Sequence, residues 1–125
     1  MGKMKAFKKD GRFMEEELLR RIEILEYHQR LLLNLLGSSE RSFTKMIILK
    51  NLEEKEVREF HELCDELSIK MQEQKAEGFV YFLPLFQEFS NRLNKKLEAE
   101  ATVKACLEEK IHLELMSEFQ KFLID

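Results

Sequence analysis

The first long pattern in the sequence places apolar residues four and three positions apart over Phe13–Leu36. This alternation predicts a helix about 36 Å long, with Gly37 ending it. The spacing is also that of a coiled-coil seam with one polar position. The predicted seam, and with it the predicted oligomer interface, consists of Leu18, Ile22, Leu25, Gln29, Leu32 and Leu36.

A second apolar stripe runs beside the seam. It consists of Ile24, Tyr27, Leu31 and Leu35. The two stripes together are wider than one neighbouring helix can cover, so this helix must contact either several helices of its own chain or another subunit. We expect a homo-oligomer, most simply a dimer, because closed two-fold assemblies are the commonest kind. Gln29 would then lie across from its mate and fix the register of the pair.

Shorter helices are predicted for the rest of the chain. Ser42 is expected to cap a helix that ends near Lys50, and Asn51 breaks it. The clearest pattern, Glu53–Glu77, has strict 3,4 spacing, and Gly78 follows it where a left-handed cap belongs. Further helices are expected over about Pro84–Lys95, Glu98–Glu109 and Ile111–Leu123, with a turn at or beside Lys110. The predicted fold class is all-α: a multihelical single domain in which a long N-terminal coiled-coil-like helix precedes a bundle of shorter helices.

Charge is distributed unevenly along the 125 residues. The net charge is −3, but Met1–Arg12 holds five basic residues against Asp10, or +4, which leaves −7 for the remainder. A basic segment can contact phosphates, so a nucleic-acid-associated regulator is an alternative function. The net negative charge of the residues after Arg12 argues against binding to nucleic acid. The basic segment also has an ordinary explanation, because chain termini are commonly solvated. We predict a basic, flexible arm over residues 1–12 and a single helical domain over residues 13–125.

Membrane insertion and secretion are not expected. The longest stretches without a charged residue, Leu31–Ser39 and Gly78–Gln87, are about half the roughly 20 residues of a membrane span. Cys64 and Cys106 lie inside helical patterns with no signal peptide ahead of them, which favours free thiols in the cytoplasm.

His61 and Cys64 are one turn apart on a predicted helix, a spacing that can present two metal ligands. A metal-dependent enzyme at this pair is a second alternative function. Two ligands do not complete a site, however, and Cys64 occupies a seam position where a small buried residue is usual. With His28 and His112, the spacing selects no catalytic pair, so we predict no catalytic residue, no metal and no cofactor.

The densest aromatic group follows Gly78. Phe79–Phe82 is too short for a strand without a partner and is read as an extended connector. Core packing is the favoured role for the group, because Phe82, Phe86 and Phe89 have helical spacing. The alternative is a groove for a protein partner, formed by Phe79, Tyr81, Phe82 and Phe86.

A family likeness is carried by several short segments. They are Arg21–Tyr27 (RIEILEY), Cys64–Ser68 (CDELS), Gln74–Val80 (QKAEGFV), Leu93–Leu97 (LNKKL) and Glu114–Met116 (ELM). In order and spacing over Glu17–Leu123, the chain resembles the YhaI-like family, a domain-of-unknown-function family of Bacillus-type bacteria. The resemblance implies an all-helical cytoplasmic protein and carries no activity, substrate or site residue. The chain departs from the pattern in its basic segment and at His61, where an apolar residue is expected; the second departure weakens the metal interpretation.

The favoured function is a non-enzymatic protein–protein interaction or self-association module. Its first helix supplies the surface for self-association, and the aromatic group supplies the alternative surface for an unidentified protein partner.

Overall fold

A computed structural model of the protein describes residues 12–37 and 41–123. This part of the chain contains six α-helices and no strand. The helices are α1 (Arg12–Leu35), α2 (Ser42–Leu49), α3 (Glu54–Ala76), α4 (Leu83–Arg92), α5 (Ala99–Glu109) and α6 (Leu113–Gln120). The all-α prediction is confirmed, and the helix ends differ from the predicted ones by at most three residues.

The chain divides into two compact units, Met1–Gly37 and Ser38–Asp125. The first unit contains α1, and the second contains α2 to α6. The predicted basic arm over residues 1–12 lies outside the described residues, apart from the backbone of Arg12. Among the helices that the structure describes, none carries an apolar run long enough to cross a bilayer.

The core of the second unit is organised around α3. Its 3,4 spacing places Phe60, Cys64, Leu67 and Met71 on one side of the helix, and all four are buried. Helix α3 packs against α4 and α6, while α5 packs against α2 and α6. The residues that these helices bury around α3 include Phe43, Leu85, Phe89, Val103, Cys106, Leu115, Met116 and Phe119.

Three of these helices are followed by a residue with left-handed backbone geometry. The residues are Asn51 after α2, Gly78 after α3 and Lys110 after α5. After α3, the N–H of Phe79 donates to the carbonyl of Gln74 at 2.9 Å, which closes the last turn as a Schellman motif. The predicted turns at Asn51, Gly78 and Lys110 are confirmed. They set the direction in which each following segment leaves its helix.

The N-terminus of α2 is held by carboxylates from α5. Arg41 is the N-cap residue and Ser42 is already helical, so the predicted Ser42 cap is wrong. Instead, Glu109 accepts hydrogen bonds from both the backbone N–H and the hydroxyl of Thr44, each at 2.8 Å. The Ser42 hydroxyl donates to Glu108 at 2.6 Å. A carboxylate suits this place because the first N–H groups of a helix lack partners within the helix and carry a partial positive charge.

Candidate functional site

The seam predicted from the sequence lies along α1, except for Leu36, which directly follows the end of the helix, and the apolar members of the seam are exposed. Their exposed fractions are 56% for Leu18, 49% for Ile22, 57% for Leu25, 62% for Leu32 and 40% for Leu36. Gln29, the polar member, is half-buried. The second stripe is also exposed, from 41% at Ile24 to 81% at Leu35. Exposed apolar side chains in such a density are typical of contact surfaces.

Polar contacts within α1 distinguish the two stripes. In the second stripe, the Tyr27 ring lies 5.9 Å from the His28 ring, and the Arg30 guanidinium lies 6.0 Å from the Tyr27 ring centroid. A guanidinium over an aromatic face is attracted by the ring and covers part of it. The second stripe therefore has polar neighbours at its centre. The seam has Leu25 and Leu32 on either side of a single amide, that of Gln29.

The four residues of the predicted aromatic groove do not share one environment. Phe82 is 2% exposed, and Phe86 packs against Phe119 with ring centroids 5.3 Å apart, so both belong to the core. Phe79 and Tyr81 are 54% and 61% exposed. The exposed pair alone remains available to a partner, as part of the irregular segment between α3 and α4.

The structure places the candidate ligands His61 and Cys64 in different environments on α3. The Cys64 side chain is fully buried in the core, and burial raises the pKa of its thiol well above the ordinary range. The thiolate is the form that binds metals, so burial works against ligation. Within residues 12–37 and 41–123, no three His, Cys, Asp or Glu side chains are grouped to hold a metal ion.

His61 is paired with His112 instead, a contact that sequence reasoning did not find. The Nδ1 atom of His61 lies 2.8 Å from the Nε2 atom of His112, so that one ring donates an N–H to the other. The ring of Phe60 packs on both imidazoles, at 5.6 Å from His61 and 6.1 Å from His112. Asp65 lies on the far side, with Oδ1 3.9 Å from Nδ1 of His112. The pair joins α3 to the residue that precedes α6, and it needs at least one neutral ring.

His112 is held in a left-handed conformation, with φ of 48°, at the N-cap position of α6. Burial, and secondarily the neighbouring His61, lowers the pKa of His112, while Asp65 opposes that shift. A protonated His112 would place a charge in a half-buried position between two aromatic rings. The folded state therefore favours the neutral imidazole.

We expect the second unit to lose stability as the pH falls from about 7.5 to about 5.5. Because the pKa of His112 is lower in the folded state, the unfolded state takes up the proton first. The contribution of the neutral His112 ring to the free energy of unfolding is therefore complete above about pH 6.5, the ordinary pKa of histidine. This contribution is lost as the pH falls below that value. The carboxyls of Glu56 and Glu66, whose pKa values are lowered to about 2, lose their contribution only in more acidic solution. Melting temperatures at the two pH values should differ by a few degrees.

The matched control for this measurement is His112→Asn, because asparagine tolerates the left-handed conformation. The variant keeps His28 and His61, so it differs from the unmodified chain at residue 112 alone. A melting temperature that depends on pH equally in the variant and the unmodified chain would exclude His112 as the source.

A polar cleft of about 330 Å³ lies between α3 and α4. Arg92 donates to both carboxylate oxygens of Glu66, at 2.7 and 2.9 Å, and to Glu88 at 2.6 Å. These hydrogen bonds are the main cause of the lowered pKa of Glu66. At the other end, Lys96 donates to Glu56 at 2.8 Å. The carboxylates at both ends of the cleft thus join helices to neighbouring segments of the chain, which makes the cleft a structural junction.

A comparison with known protein families matches the chain to a family of unknown function. A family model described as "Protein of unknown function (DUF1878)" matches residues 14–124. The matched range begins in α1 and extends beyond the end of α6, so it covers part of the first compact unit and nearly all of the second. The description names no activity, and no residue role comes with it. By the extent of this match, the chain belongs to the DUF1878 family.

Proposed function

We propose that this protein is a helical self-association module in which the seam of α1 pairs with the seam of a second copy. The observation that carries the proposal is the row of exposed leucines at Leu18, Leu25 and Leu32. They recur every seven residues, which is the repeat that lets two helices remain in contact along their length.

The energetics favour association. At about 25 cal/mol per Å² of apolar surface, covering a handful of leucine and isoleucine side chains is worth several kcal/mol. That gain is comparable in size with the lower estimates of the cost of bringing two chains together. A helix about 36 Å long offers a seam of five turns or more, and the gain therefore accumulates along α1.

A second contact surface is proposed at Phe79 and Tyr81. Their exposed rings suit a protein partner, because aromatic side chains bury large areas at interfaces while losing little conformational freedom. This surface is separate in sequence from α1, so that self-association and partner binding are independent properties in the proposal.

The narrower family placement and the location of the protein are also proposals. The segments Arg21–Tyr27 and Gln74–Val80 support a YhaI-like member of the family, from Bacillus-type bacteria. Two buried free thiols, Cys64 and Cys106, support a reducing compartment, the cytoplasm.

Light scattering on the full chain at micromolar concentration tests the proposal. One chain has a mass of 15.0 kDa, and we expect twice that mass from a homodimer. The apparent mass should fall towards that of one chain on dilution, because association depends on protein concentration. A mass of 15.0 kDa throughout the concentration series would refute self-association.

A further inference from the structure

We infer that the two copies of α1 pair in parallel and in register, with Gln29 facing Gln29 of the second copy. The inference rests on the proposed self-association and adds the orientation of the partner helix. It is drawn from the order of side-chain types around α1.

The seam residues take two alternating positions of a seven-residue repeat. The d positions are Leu18, Leu25 and Leu32, and the a positions are Ile22, Gln29 and Leu36. Leucine at all three d positions and β-branched isoleucine at one a position, Ile22, agree with the combination that favours parallel two-stranded coiled coils. A polar residue at a single a position is also a feature of such pairs, where it specifies register.

Gln29 discriminates between the two orientations. In a parallel, in-register pair, an a residue faces the same a residue of the partner, so that the amide N–H of one Gln29 can donate to the amide oxygen of the other. In an antiparallel pair, a residues face d residues, and Gln29 would lie against Leu25 or Leu32 of the second copy. The amide would then be buried without a partner, which is costly.

Charged residues beside the seam point to the same orientation. Arg21 precedes Ile22 at a g position, and Glu26 follows Leu25 at an e position, five residues further along. Both are exposed in the single chain. In a parallel pair, a g residue approaches the e residue five positions later on the partner. Arg21 of each copy can therefore pair with Glu26 of the other, which gives two ion pairs. In an antiparallel pair, g faces g and e faces e, and these two ion pairs do not form.

Disulfide cross-linking of the full chain tests the orientation. In the variant Gln29→Cys, the new thiols face each other in a parallel, in-register pair, within the short Cβ separation that a disulfide requires. Incubation at micromolar protein in a mixture of reduced and oxidised glutathione should give a covalent dimer. The native Cys64 and Cys106 are fully buried, so the unmodified chain serves as the background.

Asn34→Cys is the matched control, since residue 34 lies on the outer side of the same helix, away from the seam. We expect cross-linking of Asn34→Cys to be slower by roughly tenfold or more, because its thiols are held apart in the pair. Equal cross-linking of both variants would overturn the inference, since it would report random collision.

A charge exchange provides an independent readout. Arg21→Glu should raise the dissociation constant by roughly threefold to tenfold, because two ion pairs become two repulsive pairs. The double variant Arg21→Glu/Glu26→Arg restores both pairs with their signs reversed and should recover the original affinity. Failure of the double variant to recover would overturn the parallel arrangement.

The outcomes separate the two proposals. A species of twice the single-chain mass that does not cross-link through Gln29→Cys would overturn the parallel arrangement and leave self-association standing. A single-chain mass would overturn both.

Discussion

Changing Leu25 and Leu32 to Asp is expected to convert the protein into a monomer of 15.0 kDa. Each substitution places a carboxylate in the middle of the proposed seam. Association would have to remove this carboxylate from water and bring it close to the same negative charge on the partner. Burying an unpaired charge is among the most unfavourable changes available to an interface. Light scattering gives the mass, and far-UV circular dichroism checks that the helical content is retained.

Ile24→Asp/Leu31→Asp is the matched control. These residues lie one position earlier, in the second stripe, with the same seven-residue separation and comparable exposure. We expect this variant to remain associated. The opposite pattern, in which the control dissociates and Leu25→Asp/Leu32→Asp stays assembled, would assign the interface to the second stripe.

Phe89→Ala is expected to lower the free energy of unfolding of the second unit by about 3 to 5 kcal/mol. Phe89 is fully buried, and its ring centroid lies 5.1 Å from that of Phe119 and 6.3 Å from that of Phe60. The side chain thus connects α4 with α6 and α3, and its removal leaves a cavity that three helices share. Single domains are commonly stable by only about 5 to 15 kcal/mol, so the loss is a large fraction of the total. Urea denaturation followed by circular dichroism measures it.

The same deletion at an exposed ring provides the comparison. Phe79→Ala removes a side chain that is 54% exposed, and the expected loss is below about 1 kcal/mol. Similar losses at the two positions would mean that Phe79 is packed as tightly as Phe89. That result would also remove Phe79 from the proposed partner surface.

The helices were predictable because the signals that define them are local. The 3,4 spacing of Phe60, Cys64, Leu67 and Met71 identifies both the helix and its buried side. Gly78 marks the end of α3 through a conformational preference of one residue. At Lys110 no glycine or proline marks the turn, and it was expected only because the two predicted helices on either side had to be joined there.

The contacts between helices were not predictable, because they depend on packing that no local spacing encodes. His61 and His112 are 51 residues apart, and their pairing requires α3 to lie beside the start of α6. The Ser42 cap failed for a related reason. A serine before an apolar run is a sound local signal, but Glu109, supplied by α5, satisfies the adjacent Thr44 and leaves Ser42 inside the helix.

The exposed surface of α1 was predictable, but the helix proposed to cover it was not. The sequence identifies the apolar stripe from Leu18 to Leu36, and the structure confirms a helix from Arg12 to Leu35. The second helix of the proposed pair belongs to another copy of the chain, so neither the spacing within one chain nor its fold specifies it.

The anchoring of α2 by α5 has a consequence for the order of events during synthesis. A helix of eight residues is too short to persist in water by its own hydrogen bonds, and the acceptor for the Thr44 N–H lies 65 residues further along the chain. While the ribosome has delivered only α1 to α4, α2 lacks the Glu109 carboxylate that holds its N-terminus, and Phe43 can stack on Phe60 of α3 but not pack among the side chains that α5 and α6 bury. We therefore expect the second unit to complete its folding only after translation has passed Glu109, with Phe43 incompletely covered until then.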